Sequence, residues 1–369
     1  MKKSTVYFAN LRSDSRRNLL NKIDDLLRAT GLEKKFKKKE LIAVKLHFGE
    51  KGNSAYLRPT FVRRVVDRIR DTGARPFLTD TNTLYVGTRG EAVSHLSTAI
   101  ENGFDFAVAG APLIIADGLR SENSRKVKIE GKHYDEVNIG AAIAEADGMV
   151  VLTHFKCHEI SGFGGAIKNL AMGCATREGK LAQHSSVSPL VDQSGCEECA
   201  ECIKFCASDA IEIREGKAFI LEEKCSGCGK CIIVCPEKTI NIQWSGASAD
   251  VQEKMAEHAM GAMKGKMKRT VFISFIMQVS PKCDCYGHTD APIVRDIGIV
   301  ASTDPVAIDQ AAADLVNSQE GFRDSALTSG HERGGDKFRG VHPGIDWEVQ
   351  LERSQELGLG SREYELIEI

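Results

Sequence analysis

Long apolar runs are what this 369-residue sequence most conspicuously lacks. Nowhere do about 18 apolar residues follow one another, so no membrane-spanning helix is expected. The opening MKKSTVYFAN has two lysines but not the apolar stretch of about 7 to 15 residues that a secretory leader carries, and a cytosolic protein is expected. Net charge is nearly absent as well: 49 Lys and Arg stand against 51 Asp and Glu, a formal −2. No global basic field therefore marks a binder of nucleic acid or of membrane surfaces. The run EKKFKKKE (33–40) is the local exception, and a solvated loop before a buried strand accounts for it better than a docking patch for an acidic partner. There is no G-x-G-x-x-G opening a helix after the first strand, and GFGGAI is too loose to count, so neither a nicotinamide nor a flavin is expected. Biased tracts that would argue for disorder are missing too; 42% hydrophobic and 27% charged residues make a globular composition.

What is present is an alternation of βα type. Apolar runs at TVYFANL (5–11), LIAVKLHF (41–48), ARPFLTD (74–80), FAVAG (106–110) and GMVVLTHF (148–155) suggest strands. Between them lie amphipathic stretches, among them one carrying Leu19, Leu20, Ile23, Leu26 and Leu27, and another begun by Pro59 that carries Phe61, Val62, Val65, Val66 and Ile69. Helix, strands and helix return after residue 245, in ADVQEKMAEHAMGAMKG, RTVFISFIMQV, IGIVAS and DPVAIDQAAADLVN, and the tail REYELIEI suits an edge strand. The fold class expected is α/β, a mostly parallel sheet flanked by helices. A chain longer than roughly 100 to 200 residues calls for two domains. Texture changes abruptly after residue 188, which divides the chain into a host, 1–187 with 246–369, and an inserted small α+β module at 188–245.

Twelve cysteines in a reducing compartment point to metal or redox chemistry, not disulfides. Eight lie in the module. CEECAECIKFC (196–206) is repeated by CSGCGKCIIVC (225–235): Cys196, Cys199, Cys202 and Cys206 map onto Cys225, Cys228, Cys231 and Cys235 with a constant offset of 29, as Ile211 and Ile213 map onto Ile240 and Ile242. Three thiolates at C-x2-C-x2-C can wrap one 4Fe-4S cube while the fourth cysteine points to the other. Cys196, Cys199, Cys202 and Cys235 are then expected to hold one cluster, and Cys225, Cys228, Cys231 and Cys206 the second. Structural zinc, which takes four ligands in paired C-x2-C units, is disfavoured. These residues resemble the bacterial two-cluster ferredoxin family, which implies one-electron transfer. Pro236 completes that family's pattern, whereas Ala207 stands in the matching place of the first half and removes only turn rigidity.

Chemistry-bearing residues in the host concentrate in THFKCHEISGFGGAIKNLAMGC (153–174) and PKCDCYGHTD (281–290). His154, Cys157 and His158 follow a strand, where open α/β sheets place ligands. SGFGGAIKNL suggests a Gly-rich loop whose following helix attracts an anion, or else a tight turn needing positive φ. CDCYGH is either a turn with buried thiols or a third metal or cluster site that joins Cys283 and Cys285 to Cys157 and Cys174, or to His154, His158 or His288. Lys45, His47, Asp80, Asn82, Lys168, Asn169 and Asp309 could serve binding or simply anchor loops. Asp304, just before Pro305, suits a helix cap.

VKLHFGE, RPTFVRRVVDRIRDTGARPFLTDTNT, GFGGAIKNLAMG and DIGIVASTDPVAIDQAAADLV resemble domain-of-unknown-function family 362, whose members often carry such a ferredoxin module. That resemblance implies an α/β iron-sulfur protein of anaerobic or thermophilic microbes and no settled reaction. The reading is a cytosolic redox enzyme in which two 4Fe-4S clusters exchange electrons with a host site, His154, His158 and Lys168 being candidates for catalysis. A redox protein or a small molecule is the expected partner. The other class is a non-enzymatic electron carrier or iron-sulfur delivery adaptor with the host as docking surface.

Overall fold

Strand formation follows the apolar runs. The computed structural model describes residues 3–184, 188–242 and 248–369. Among them eight strands make one sheet: β1 Ser4–Asn10, β2 Leu41–Lys45, β3 Arg75–Asp80, β4 Leu113–Ile115, β5 Gly148–His154, β6 Thr270–Ile276, β7 Gly298–Ser302 and β8 Tyr364–Glu368. Their order is β8-β1-β7-β6-β5-β2-β3-β4. Strand β7 is antiparallel to both neighbours, β1 and β6, while the other described pairings are parallel. The tail is an edge strand, as its alternation suggests.

Both faces of the sheet's centre are covered, which is why β5, β6 and β7 are buried at every position instead of alternating. Along β5, Met149 and Val151 enter one core and Val150 and Leu152 the other, the two-residue period of a strand. One face packs against α1 (Leu19–Ala29), α2 (Pro59–Asp71) and α3 (Ala92–Glu101). Val62, Val65, Val66 and Ile69 of α2 are fully buried there, each stabilising the fold by roughly 1.5 to 3 kcal/mol. The other face carries α4 (Ala166–Cys174), α6 (Ser248–Met263) and α7 (Pro305–Asn317), with α5 (Arg177–His184) between α4 and the cysteine-rich segment. Asp304 caps α7 by accepting from the backbone N of Val306 and Ala307.

One expected strand is absent. FAVAG forms the helical turn Phe106–Ala109, capped by Asp105 and stopped by Gly110 at φ 77°, and the chain enters the sheet only afterwards, at β4. A polar cap and a left-handed glycine outweigh apolar content over so short a stretch.

The duplicated segment builds its own small core from Val191, Cys202, Ile211, Ala218, Ile232, Ile240 and Ile242, closed by Leu84 and Leu181 of the host. Its repeat is visible in the backbone. Short helices Glu201–Lys204 and Lys230–Val234 correspond, and φ is positive at the paired positions Glu198 and Gly227, Ala200 and Gly229, Asp209 and Lys238. Residue 187 and residues 245 and 246, where module and host are expected to meet, lie outside the described residues. Among the described residues no helix is long and apolar enough to cross a membrane.

Candidate functional site

Strands β2, β3 and β4 step toward one edge of the sheet, and the chain then returns to the other side of β2 to lay down β5. The loops leaving the carboxyl ends of β2 and β5 therefore diverge, and open α/β sheets bind ligands in such a crevice. A cavity of about 730 Å3 lies there, within the range of small-molecule sites, roughly 300 to 1,000 Å3. Its walls come from the ends of four parallel strands: His47 and Glu50 after β2, Asp80, Thr81 and 83–89 at and after β3, His158 to Ile160 after β5, and Cys283, Cys285, Tyr286 and Gly287 after β6. Lys168 and Met172 of α4 and Lys180 and His184 of α5 complete it.

Of the residues the sequence singles out, His47, Asp80, His158, Lys168, Cys283 and Cys285 meet in this cavity. The other members of the expected third metal site do not join them. Cys157 and Cys174 are fully buried in the apolar core, Cys157 paired in register with Phe163. Burial pushes the Cys157 thiol up, and that of Cys174 up to about 11 with Lys45 opposing. His288 is exposed, its ring beside Tyr286. His154 faces away from the cavity: Nδ1 lies 2.8 Å from Asp284 Oδ1 and Nε2 lies 2.9 Å from Met277 O. The place expected for an anion at the start of α4 is taken by the protein's own Asp309, which accepts from Ala166 N at 2.7 Å and Ile167 N at 2.9 Å. In the same loop Gly162 has φ 70° and abuts Trp347, so the tight-turn alternative holds for it.

The thiol pair dominates the electrostatics. Cys283 is held well below the ordinary thiol range, first by the hydrogen bond from Cys285 and then, against burial, by Lys168 and His158. Lys168 Nζ stands 3.7 Å from Cys283 Sγ. Cys285, as the donor, is pushed well above that range. Burial alone would lower Lys168, but the two sulfurs raise it. His47 accepts from Gly49 N through Nδ1 at 3.0 Å, and burial with Arg89 nearby keeps the ring neutral.

Several cavity groups carry no local signal in the sequence. Arg89 is fully buried, with Nε 3.2 Å from Glu50 Oε2 and Nη1 3.5 Å from Asp80 Oδ2. Asp80 also meets Lys45 Nζ at 3.0 Å, and these cations overcome burial to hold it below the usual carboxylate range. Lys45 is itself anchored on Asn169 Oδ1 at 2.6 Å. Asn82 anchors its loop on Asp117 and Gly118. Lys180 donates to Thr81 Oγ1 and Ala175 O, and burial lowers it to about 8.

In the module, Cys196, Cys199, Cys202 and Cys235 line one small cavity; Cys206, Cys225, Cys228 and Cys231 line another. Backbone N–H groups donate to sulfur, Ala210 N to Cys206 at 3.2 Å and Ala218 N to Cys196 at 3.4 Å. The second foursome abuts the wall of the large cavity. A Cβ on Gly229 would stand 3.1 Å from Leu84 and 3.2 Å from Arg177, and Leu84 lines the large cavity. Arg177 reaches from α5 to Thr83 O at 3.2 Å, Arg120 O at 2.9 Å and Gly90 O, and its charge is felt by Cys228 and Cys231. Elsewhere His133, Asp250 and Glu253 converge within 4.8 Å, but Lys132 sits 2.8 Å from Glu253 and Lys254 2.8 Å from Asp250, so ammonium groups already neutralise that cluster.

Fold and cavity together define a largely parallel α/β protein with a cavity of ligand-binding size at the switch point of the sheet. The chain belongs to the family described as "Domain of unknown function (DUF362)", whose model matches residues 42–314. No curated protein matches it. Among solved structures it is similar to the lactate racemase apoprotein from Thermoanaerobacterium thermosaccharolyticum, at 14% identity and a TM-score of 0.36, covering 73% of this chain and 50% of that one. It is similar also to a structural-genomics protein from Thermotoga maritima, at 10% identity and a TM-score of 0.38, covering 94% of this chain and 60% of that one. The chain thus spans 50% and 60% of the lengths of these two proteins.

Proposed function

We propose that this is an iron-sulfur redox protein of a reducing, cytosolic setting, in which electrons pass between the cysteine module and the large cavity. Cys196, Cys199, Cys202 and Cys235 would hold one 4Fe-4S cluster, and Cys206, Cys225, Cys228 and Cys231 the other. Bound there, such clusters supply one-electron transfer at low potential. The observation that carries the reading is the sorting of eight thiols into two foursomes, each around its own cavity and each completed by the distant cysteine of the other repeat.

The chain's own groups suit that role. N–H donors on Cys196 and Cys206 favour the charged form of the sulfur. Apolar side chains line both cavities, Ile213 and Ala218 at one foursome and Ile211 and Ile220 at the other. Leu84 and Arg177 lie between the second foursome and the host site, whose thiols and lysines can bind and protonate a small substrate while its neutral histidine offers a hydrogen bond. The electron donor would be a redox partner protein.

Anaerobically purified full-length protein should contain about eight irons and eight acid-labile sulfides, with a paramagnetic signal on reduction. Cys206→Ser and Cys235→Ser should each disturb one cluster and spare the other. Stoichiometric zinc with no iron would overturn the reading.

A further inference from the structure

The loop after β6 turns tightly at 283–286, where Tyr286 N donates to Cys283 O at 3.1 Å. The turn sends residues 283 and 285 into the cavity and residue 284 away from it. Asp284 is fully buried, its Oδ1 2.8 Å from His154 Nδ1 and its Oδ2 3.2 Å from Lys156 Nζ, so the turn is fixed from behind. His154 and Lys156 thus have a positioning role: they hold the peptide that presents the two thiols.

What faces those thiols separates two chemistries. A metal ion bound by a pair of thiolates needs further neutral or anionic ligands around it. Here the ammonium of Lys168 lies 3.7 Å from Cys283 Sγ and would repel a dication. The same ammonium favours a thiolate poised for attack.

We infer that Cys283 and Cys285 form a redox-active dithiol that reduces a low-molecular-weight disulfide bound in the cavity, with Cys283 as the attacking sulfur and Cys285 as the resolving one. This deepens the redox reading above and rests on it for the supply of electrons. The Cys283 thiolate attacks one sulfur of the substrate; a mixed disulfide forms, the substrate S–S bond breaks, and the first thiolate leaves and takes up a proton. Cys283 is then uncharged, so Lys168 acts on Cys285 in its place. The Cys285 thiol gives up its proton and attacks Cys283 Sγ. The Cys283–Cys285 disulfide forms as the second thiolate departs, and that thiolate takes up the released proton. The pair has lost two electrons and the substrate has gained two. Two electrons and two protons restore the dithiol, drawn in two one-electron steps from a low-potential donor protein.

Trypsin cleaves after Lys282 and Arg295, which leaves both thiols on the single peptide CDCYGHTDAPIVR (283–295) with no other cysteine. Anaerobic full-length protein is treated with bis(2-hydroxyethyl) disulfide, alkylated and digested. This peptide should emerge two hydrogens lighter and unalkylated, while Cys157 and Cys174, buried in the core, stay reduced. Cys285→Ser should accumulate a hydroxyethylthio adduct on Cys283, and Lys168→Met should slow the reaction about tenfold or more. A peptide that stays reduced in wild type, or a Cys285→Ser protein that takes up no adduct on residue 283, overturns the inference. Iron counted on the same sample keeps the two proposals apart. Intact iron with an unreactive peptide defeats the dithiol alone, whereas a reactive peptide without iron supports the dithiol and defeats the cluster reading.

Discussion

Asp309 ties α7 to the first turn of α4 through a carboxylate with no measurable exposure. Burial raises its pKa from the ordinary 3.8 to about 7, with the two N–H donors opposing. A raised carboxyl contributes stability that is fully present below about pH 4 and is lost as pH climbs through about 7. Asp309→Asn keeps one acceptor but turns an amide N–H toward the other backbone donor, leaving a buried group unsatisfied; about 1 to 3 kcal/mol should be lost. From pH 5 to pH 8 the variant should also gain stability relative to wild type, because the loss that Asp309 alone contributes over that interval is gone. Denaturant titrations of both proteins at those two pH values test this, and equal slopes would remove the assignment. Asp304 could be recognised as a cap because Pro305 follows it. Asp309 could not, since the helix it caps lies 143 residues upstream.

The stretch between β3 and α3, residues 81–91, is wall to the large cavity on one side and to the module on the other. Arg177 holds it by donating to the carbonyls of Thr83 and Gly90. Lysine cannot reproduce that fork, so Arg177→Lys should leave buried carbonyls unpaired at a cost of about 1 to 3 kcal/mol. Hydrogen exchange at amides 83–90 should quicken at least about tenfold while β2 is unchanged. Uniform exchange would show that the arginine does not hold this stretch. At this scale much was legible. Runs of apolar residues separated by amphipathic segments announced seven of the eight strands, and thiols and imidazoles at strand ends announced His158, Cys283 and Cys285. Arg89, Arg177 and Lys180 were not legible, because a cation destined for burial has the same local pattern as one on the surface. His154 was misjudged for a related reason: it ends a strand, as a ligand would, but alternation turns its ring to Asp284 and Met277 O.

Across the whole molecule, imidazoles are kept neutral in two distant places. His95, on α3 near the cavity, is fully buried and depressed to about 3 by burial, with Arg89 adding to the effect. His258, on α6, is 1% exposed and depressed to about 4 by burial, while Nδ1 lies 2.9 Å from Lys254 O. In the unfolded chain both would titrate near 6.5. A depressed histidine contributes stability that is present above 6.5 and is lost as pH falls toward the folded value, because the unfolded chain binds the proton first. Each should cost about 2 kcal/mol by pH 5. The sign is opposite to that of Asp309, so the balance between the two kinds of buried group sets where stability peaks. In His258→Gln an amide N–H can still donate to Lys254 O without titrating. Stability at pH 7.5 should be within about 1 kcal/mol of wild type, and the loss between pH 7.5 and 5 should be smaller by about 2 kcal/mol. Unfolding of the full chain in guanidinium, followed anaerobically by circular dichroism at both pH values, decides the point: parallel losses in the two proteins would mean that His258 does not titrate on unfolding.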